Sequence, residues 1–167
     1  MGNSGDITPV MLYRINHGNL DFAKGQEPKV AVLLCGTNNY LVTGSAGGRV
    51  KWDLGANCPP EEIVGNIDKV IETLRSKNKT VKIVLARIIP AEDKADEVET
   101  LGRRIAEYIT SHSSAESPIV MADQHNEFNL SSDLAGDGIL PSAAGAKKMA
   151  SIFADAINKV LSHKTEE

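Results

Sequence analysis

The 167-residue chain has only two cysteines, Cys35 and Cys58, too few for a disulfide framework. Neither has a second Cys or a His at metal-ligand spacing, so no metal site is expected. Aromatic residues are scarce, at 4%. No basic stripe interrupts a composition of 18 Lys and Arg against 22 Asp and Glu, a formal net charge of −4. A nucleic-acid partner would leave such a stripe, so none is expected. No apolar run approaches the roughly 18–20 residues of a membrane span, which excludes that partner as well. The N-terminal MGNSGDITPV lacks the basic and apolar regions of a signal peptide. As written the chain reads as cytoplasmic, and as secreted if an upstream signal was removed.

What is present is an alternating pattern. Apolar content of 41% and charged content of 24% suit one globular domain over residues 1–167. Thr8-Pro9 reads as a capped helix start, with the helix running to about His17. Lys29 to Asn39, KVAVLLCGTNN, is an apolar run that stops at Gly36-Thr37-Asn38-Asn39. It predicts a buried parallel strand over about 29–35 that delivers two side-chain amides to its carboxyl end. In open α/β sheets, ligands bind at that end. Residues 40–58 form a long irregular loop containing Trp52, the only tryptophan. Pro59-Pro60-Glu61-Glu62 opens an amphipathic helix. VKIVLARII over 81–89 predicts a second strand, and Val98 to Ile109 a further helix. PIVMA over 118–122 predicts a third strand closing on Asp123. A polar loop follows to Asp137, and Ser142 caps a last helix. Strands alternating with helices imply a parallel sheet covered on both faces. Three strands are few, since such sheets have about five or six. No strand precedes the first helix, so one or more N-terminal strands are expected to be missing from the sheet.

Three motifs in this order resemble the SGNH (GDSL-type) hydrolases, an esterase family with a flavodoxin-like, three-layer α/β/α fold. Asn3-Ser4-Gly5-Asp6-Ile7-Thr8 resembles its second block, Gly36-Thr37-Asn38-Asn39 its third, and Asp137-Gly138-Ile139-Leu140-Pro141 its fifth. Leu85-Ala86-Arg87-Ile88-Ile89-Pro90 and Met121-Ala122-Asp123-Gln124 resemble the carbohydrate acetylesterase branch. The chain is also similar to members of the platelet-activating-factor-acetylhydrolase type. The resemblance implies hydrolysis of small acyl esters, acetylated sugars among them, with no cofactor. It implies oxyanion donors at the Gly5 backbone N–H and the Asn38 side chain, a triad acid at Asp137, and Asn39 beside the substrate.

The departures bear on catalysis. The first block, Gly-Asp-Ser on the first strand, is absent, so the family's nucleophile is absent with it. Leu140 stands where the fifth block has its histidine, and Asn39 where the third block has an aspartate. Leucine has no titratable group and cannot take a proton from a serine. Ser4 is then an alternative nucleophile, or simply a residue of the second block. His125 is an alternative base, or a surface loop histidine. Trp52 is a sugar platform, or a pin for its loop. Three readings follow: an esterase with an incomplete triad in this chain, an inactive binding module, and a truncated fragment that oligomerises. An unpaired strand edge also predicts a homo-oligomer, most simply a two-fold dimer.

Overall fold

The computed structural model describes residues 6–18, 20–41, 58–90 and 95–163. Within them the alternation of short apolar runs and amphipathic stretches becomes three strands and six helices. The strands are β1 (Val30–Leu33), β2 (Lys82–Arg87) and β3 (Ile119–Asp123). The helices are α1 (Thr8–Asn16), α2 (Thr37–Leu41), α3 (Pro60–Lys77), α4 (Ala95–His112), α5 (Leu130–Asp133) and α6 (Ala143–Ser162).

All three strands run parallel in the order β1-β2-β3. Val32 lies opposite Val84, and Val84 opposite Val120. Side chains alternate across a pleated strand, so each strand feeds two cores. Ile83 and Leu85 meet Ile63, Ile67 and Ile71 of α3 and Leu101 and Ile105 of α4. Val84, Ala86, Val120 and Ala122 meet Ile152, Ala156 and Val160 of α6. Three layers result, with α1, α3 and α4 on one face and α6 on the other. The expected α/β/α class is the observed one. β2 is buried along almost its whole length because both faces are covered. Each fully buried Ile or Leu contributes about 1.5–3 kcal/mol of hydrophobic stabilisation, which makes this double core the main source of order in the fold.

Three local expectations are corrected. Thr8 does not cap α1: Ile7 occupies the cap position, and Thr8 is already helical. Its hydroxyl instead accepts from the Asn39 and Asn66 side chains, each at 3.3 Å. Pro9 still sits in the first turn, where its missing N–H costs nothing. The strand expected buried over 29–35 is shorter, Val30–Leu33, and only half-buried, with Val32 exposed, because α6 covers β2 and β3 rather than β1. The polar loop before Asp137 contains α5, whose start Asn129 caps through its side chain to the Ser131 N–H. Ser142 does cap α6, accepting from the Gly145 N–H at 3.1 Å.

Candidate active site

The parallel sheet brings the strand ends Gly36–Asn39, Arg87–Pro90 and Asp123–His125 to one side of the molecule. Gly36 sets the geometry of the first. Its φ is +116°, and a Cβ built there would lie 2.8 Å from Leu101 Cδ2. Only glycine adopts that turn against that wall. The Asn39 N–H then donates to the Gly36 carbonyl at 3.0 Å, closing the first turn of α2.

The two asparagines that follow point different ways. Asn38 Nδ2 donates to the Asp6 carbonyl at 2.9 Å. An amide nitrogen carries two hydrogens, so this bond fixes the orientation of the group and uses one of them. Asn39 is fully buried. Its Oδ1 accepts from the Thr8 N–H at 3.2 Å, and its Nδ2 donates to the Thr8 hydroxyl. Asn66 of α3 donates to the same hydroxyl. Asn39 therefore clamps α1 to the end of β1, and Asn66 ties the same hydroxyl to α3.

Leu140 reaches the same region from the far end of the chain. Asp137 Oδ1 accepts from the N–H of Ile139 at 3.1 Å and of Leu140 at 2.9 Å. The Ala135 N–H donates to the Leu140 carbonyl at 2.7 Å, and Leu134 bridges Pro141. This tight loop leaves Leu140 53% exposed on the wall of a groove of about 670 Å³. Asp6, Gly36, Asn38 and Ile89 line the same end of it. Its size is ordinary for a small-molecule site. Cys35, half-buried, also borders it; desolvation pushes its thiol up to about 12, so it stays protonated at neutral pH.

A second polar cluster stands at the ends of β2 and β3. Arg87 is nearly buried and pairs with Glu99 and, at 3.7 Å, with Asp123. His125 Nε2 lies 3.4 Å from Glu99 Oε2. Burial and the Arg87 charge hold His125 below the ordinary histidine range, against the opposing pull of Glu99 and Asp123. β2 separates β3 from β1, so the strands that lead to His125 and Asn38 are about 10 Å apart. Among the described residues no group of three or more His, Cys, Asp or Glu could hold a metal ion. No described helix is long and apolar enough to cross a membrane.

The model of the GDSL-like lipase/acylhydrolase family matches residues 1–148. The chain belongs to that family. Solved structures carry the same fold. A carbohydrate esterase family 3 structure from Talaromyces cellulolyticus is 21% identical with a TM-score of 0.75, covering 95% of this chain and 69% of that one. A Clostridium thermocellum family 3 carbohydrate esterase is 18% identical with a TM-score of 0.69, covering 96% of this chain and 69% of that one. An acetyl esterase with a serine replaced by alanine, solved with an acetate ion, is 21% identical with a TM-score of 0.74 and covers 95% and 69%. No curated protein sequence matches the chain.

Within this GDSL-like chain, the structure brings together Asn38, Asp6 and Leu140 around one groove. Asp137 lies at the base of the loop that carries Leu140, with Oδ1 committed to backbone N–H groups. Asn39, expected beside the substrate, instead has its amide turned inward onto Thr8. His125 belongs to the Arg87 and Glu99 cluster. Ser4, Gly5 and Trp52 lie outside the described residues. In the sequence Thr8 reads only as a local helix cap, and Asn66 carries no expected role. Their only signal was a polar residue on an otherwise apolar helical face, as at Asn66 in α3.

Proposed function

We propose that the groove at the carboxyl end of β1 is the acyl-ester site of a GDSL-type esterase acting on small acyl esters, acetylated carbohydrates among them. One observation carries the reading: the Asn38 amide, fixed by its bond to Asp6, stands at a strand end on the groove wall. A side-chain amide there is placed to donate to the oxygen that becomes negative when an ester carbonyl turns tetrahedral. Gly5, the chain neighbour of Asp6, supplies the second donor. The acetate ion in the acetyl esterase structure and the carbohydrate esterase neighbours support an acetyl group and a sugar alcohol as the two halves of the substrate. The chemistry is electrostatic stabilisation, with no cofactor. The attacking oxygen is that of Ser4 or of a bound water, its proton passes to solvent water and on to the departing alcohol, and Asp137 is the remnant of the triad acid.

The experiment is hydrolysis of p-nitrophenyl acetate by the purified chain, with Asn38→Ala and Ser4→Ala variants. Removing the Asn38 donor should lower kcat/KM by about 10²–10³-fold. Activity indifferent to that change would refute the reading. A second reading, a binding module without turnover, is favoured by Leu140: an apolar side chain stands on the groove wall where the family's base would be. It is separated by saturable binding of acetate or an acetylated sugar that Asn38→Ala weakens, without hydrolysis.

A further inference from the structure

The hydrogen bonds around the start of α1 form one connected chain from α3 to the groove. Asn66 Nδ2 of α3 donates to the Thr8 hydroxyl at 3.3 Å, and Asn39 Nδ2 donates to the same oxygen at 3.3 Å. The Thr8 N–H donates to Asn39 Oδ1 at 3.2 Å. Just before the helix, the Asp6 carbonyl accepts from Asn38 Nδ2 at 2.9 Å. A hydroxyl oxygen has two lone pairs, so the two amides use both. Thr8 is thus held at its backbone and at its side chain, and it is completely buried. Between it and Asp6 stands only Ile7, extended at φ −92° and ψ 163° and itself buried. Two residues of extended chain span about 7 Å and have little slack. A shift of Thr8 therefore moves the Asp6 carbonyl, and with it the Asn38 amide.

Asn66 is the polar exception on its helix face. The other buried residues of α3 are Ile63, Ile67, Val70, Ile71 and Leu74. A buried amide costs stability unless it is bonded, and Thr8 supplies the bond. Apolar packing against α3 holds the body of α1, but packing is not directional. The Arg14–Asp6 ion pair restrains little, because the Arg14 side chain is 42% exposed. The register of residues 6–8 is left to the bonds at Thr8. Asn38 and Asp6 line the groove, whereas Thr8, Asn39 and Asn66 do not. We infer that Asn66 is a positioning residue: from α3 it fixes the Asn38 amide at the groove through Thr8 and Asp6. Its bearing on catalysis rests on the acyl-ester reading of that groove. An oxyanion donor works by being preorganised, and a displacement of about 1 Å can cost about 10²-fold in rate.

The test reads Asn38 first and turnover second. In amide NMR spectra of the full chain, the Asn38 side-chain signal is assigned by its loss in Asn38→Ala. Its exchange with solvent should be about 2–10-fold faster in Asn66→Leu, the factor that one hydrogen bond is worth. Asn66→Ala stands in if the leucine variant fails to fold. Thr8→Val should act like Asn66→Leu, and the double variant should add nothing, because both changes cut one chain of bonds. Thr8→Ser keeps the hydroxyl and should exchange like wild type. Ile67→Val trims a fully buried neighbour on the same helix and lowers stability, yet should leave Asn38 exchange unchanged. In hydrolysis of p-nitrophenyl acetate, Asn66→Leu should lower kcat up to about tenfold with KM nearly unchanged. Wild-type exchange in the Asn66 variant overturns the inference, even where hydrolysis depends on Asn38. So does equal acceleration by Ile67→Val, a Thr8→Ser variant that behaves like Thr8→Val, or an unchanged kcat beside faster exchange. A wild type that shows the expected exchange pattern and hydrolyses nothing refutes the esterase reading and supports the positioning of Asn38 by Asn66.

Discussion

Gly36→Ala should be among the most destabilising single-methyl additions in the described chain, and the structure separates its two causes. The first is conformational: φ is +116°, a region where an L side chain costs about 1–2 kcal/mol. The second is steric. The new Cβ would lie 2.8 Å from Leu101 Cδ2, and Leu101 is fully buried, so its methyl has little room to move; Ile63 Cγ2, at 3.5 Å, makes only ordinary contact. Forcing a methyl into such a wall costs about 1–3 kcal/mol. The sum is about 2–5 kcal/mol, or about 4–20 °C in Tm for a chain of this length. Two other glycines calibrate it. Gly25 has φ +84° with nothing within 4 Å of its would-be Cβ, so Gly25→Ala should show the conformational cost alone, about 1–2 kcal/mol. Gly65, inside α3 with equally open space, should be stabilised by alanine, by about 0.4–1 kcal/mol. Urea unfolding followed by circular dichroism measures all three. A double-mutant cycle with Leu101→Ala then isolates the contact: the two changes should be less than additive by about 1–3 kcal/mol. Additivity, or a Gly36→Ala cost no larger than that of Gly25→Ala, would refute the reasoning.

Stability should also depend on pH through two groups. Asp133 is held below the usual carboxylate range by the Asn129 N–H and then by Lys148. Its contribution is fully present above the unfolded value of about 3.9 and is lost as pH falls further; the gap in urea midpoint between wild type and Asp133→Asn should close below about pH 4. His125 is held low, so the unfolded chain binds its proton first; wild type should lose stability relative to His125→Gln as pH falls below about 6.5. A raised His125 titration in NMR spectra would contradict this. Cys35, half-buried with its thiol pushed up to about 12, should react more slowly with a disulfide reagent at pH 8 in the native Cys58→Ala variant than once unfolded; equal native and unfolded rates would count against the raised value.

The layers were readable in the sequence because they depend on period. Ile63, Ile67, Val70, Ile71 and Leu74 recur at helical spacing, and VKIVLARII is too short and too β-branched for a helix. The site was half readable. Asn38 could be placed because a strand end is a position in the sequence. The inward turn of Asn39 could not, because it depends on Thr8, a partner 31 residues before it. The Thr8 hydroxyl looked like a local cap, and a tertiary bond claimed it instead. α2 and α5 are too short to carry a period, so propensity was silent on both. The Arg87 cluster depends on three elements meeting at one end of the sheet, with Gly102 leaving room for the guanidinium: a Cβ there would fall 2.1 Å from Arg87 Nε.

Two adjacent asparagines at the end of β1 divide their labour, and that division bears on how such a sequence ages. Selection for turnover would act on Asn38 and relax if activity were lost. Selection for a folded chain would still act on Asn39, because replacing it strands the Thr8 N–H in the interior at a cost of about 1–3 kcal/mol. Gly36 is held by the same kind of constraint, through the Leu101 wall. Two positions of this strand end, Gly36 and Asn39, are therefore held by architecture. The fold needs Gly36 and Asn39 whether or not the groove turns over a substrate.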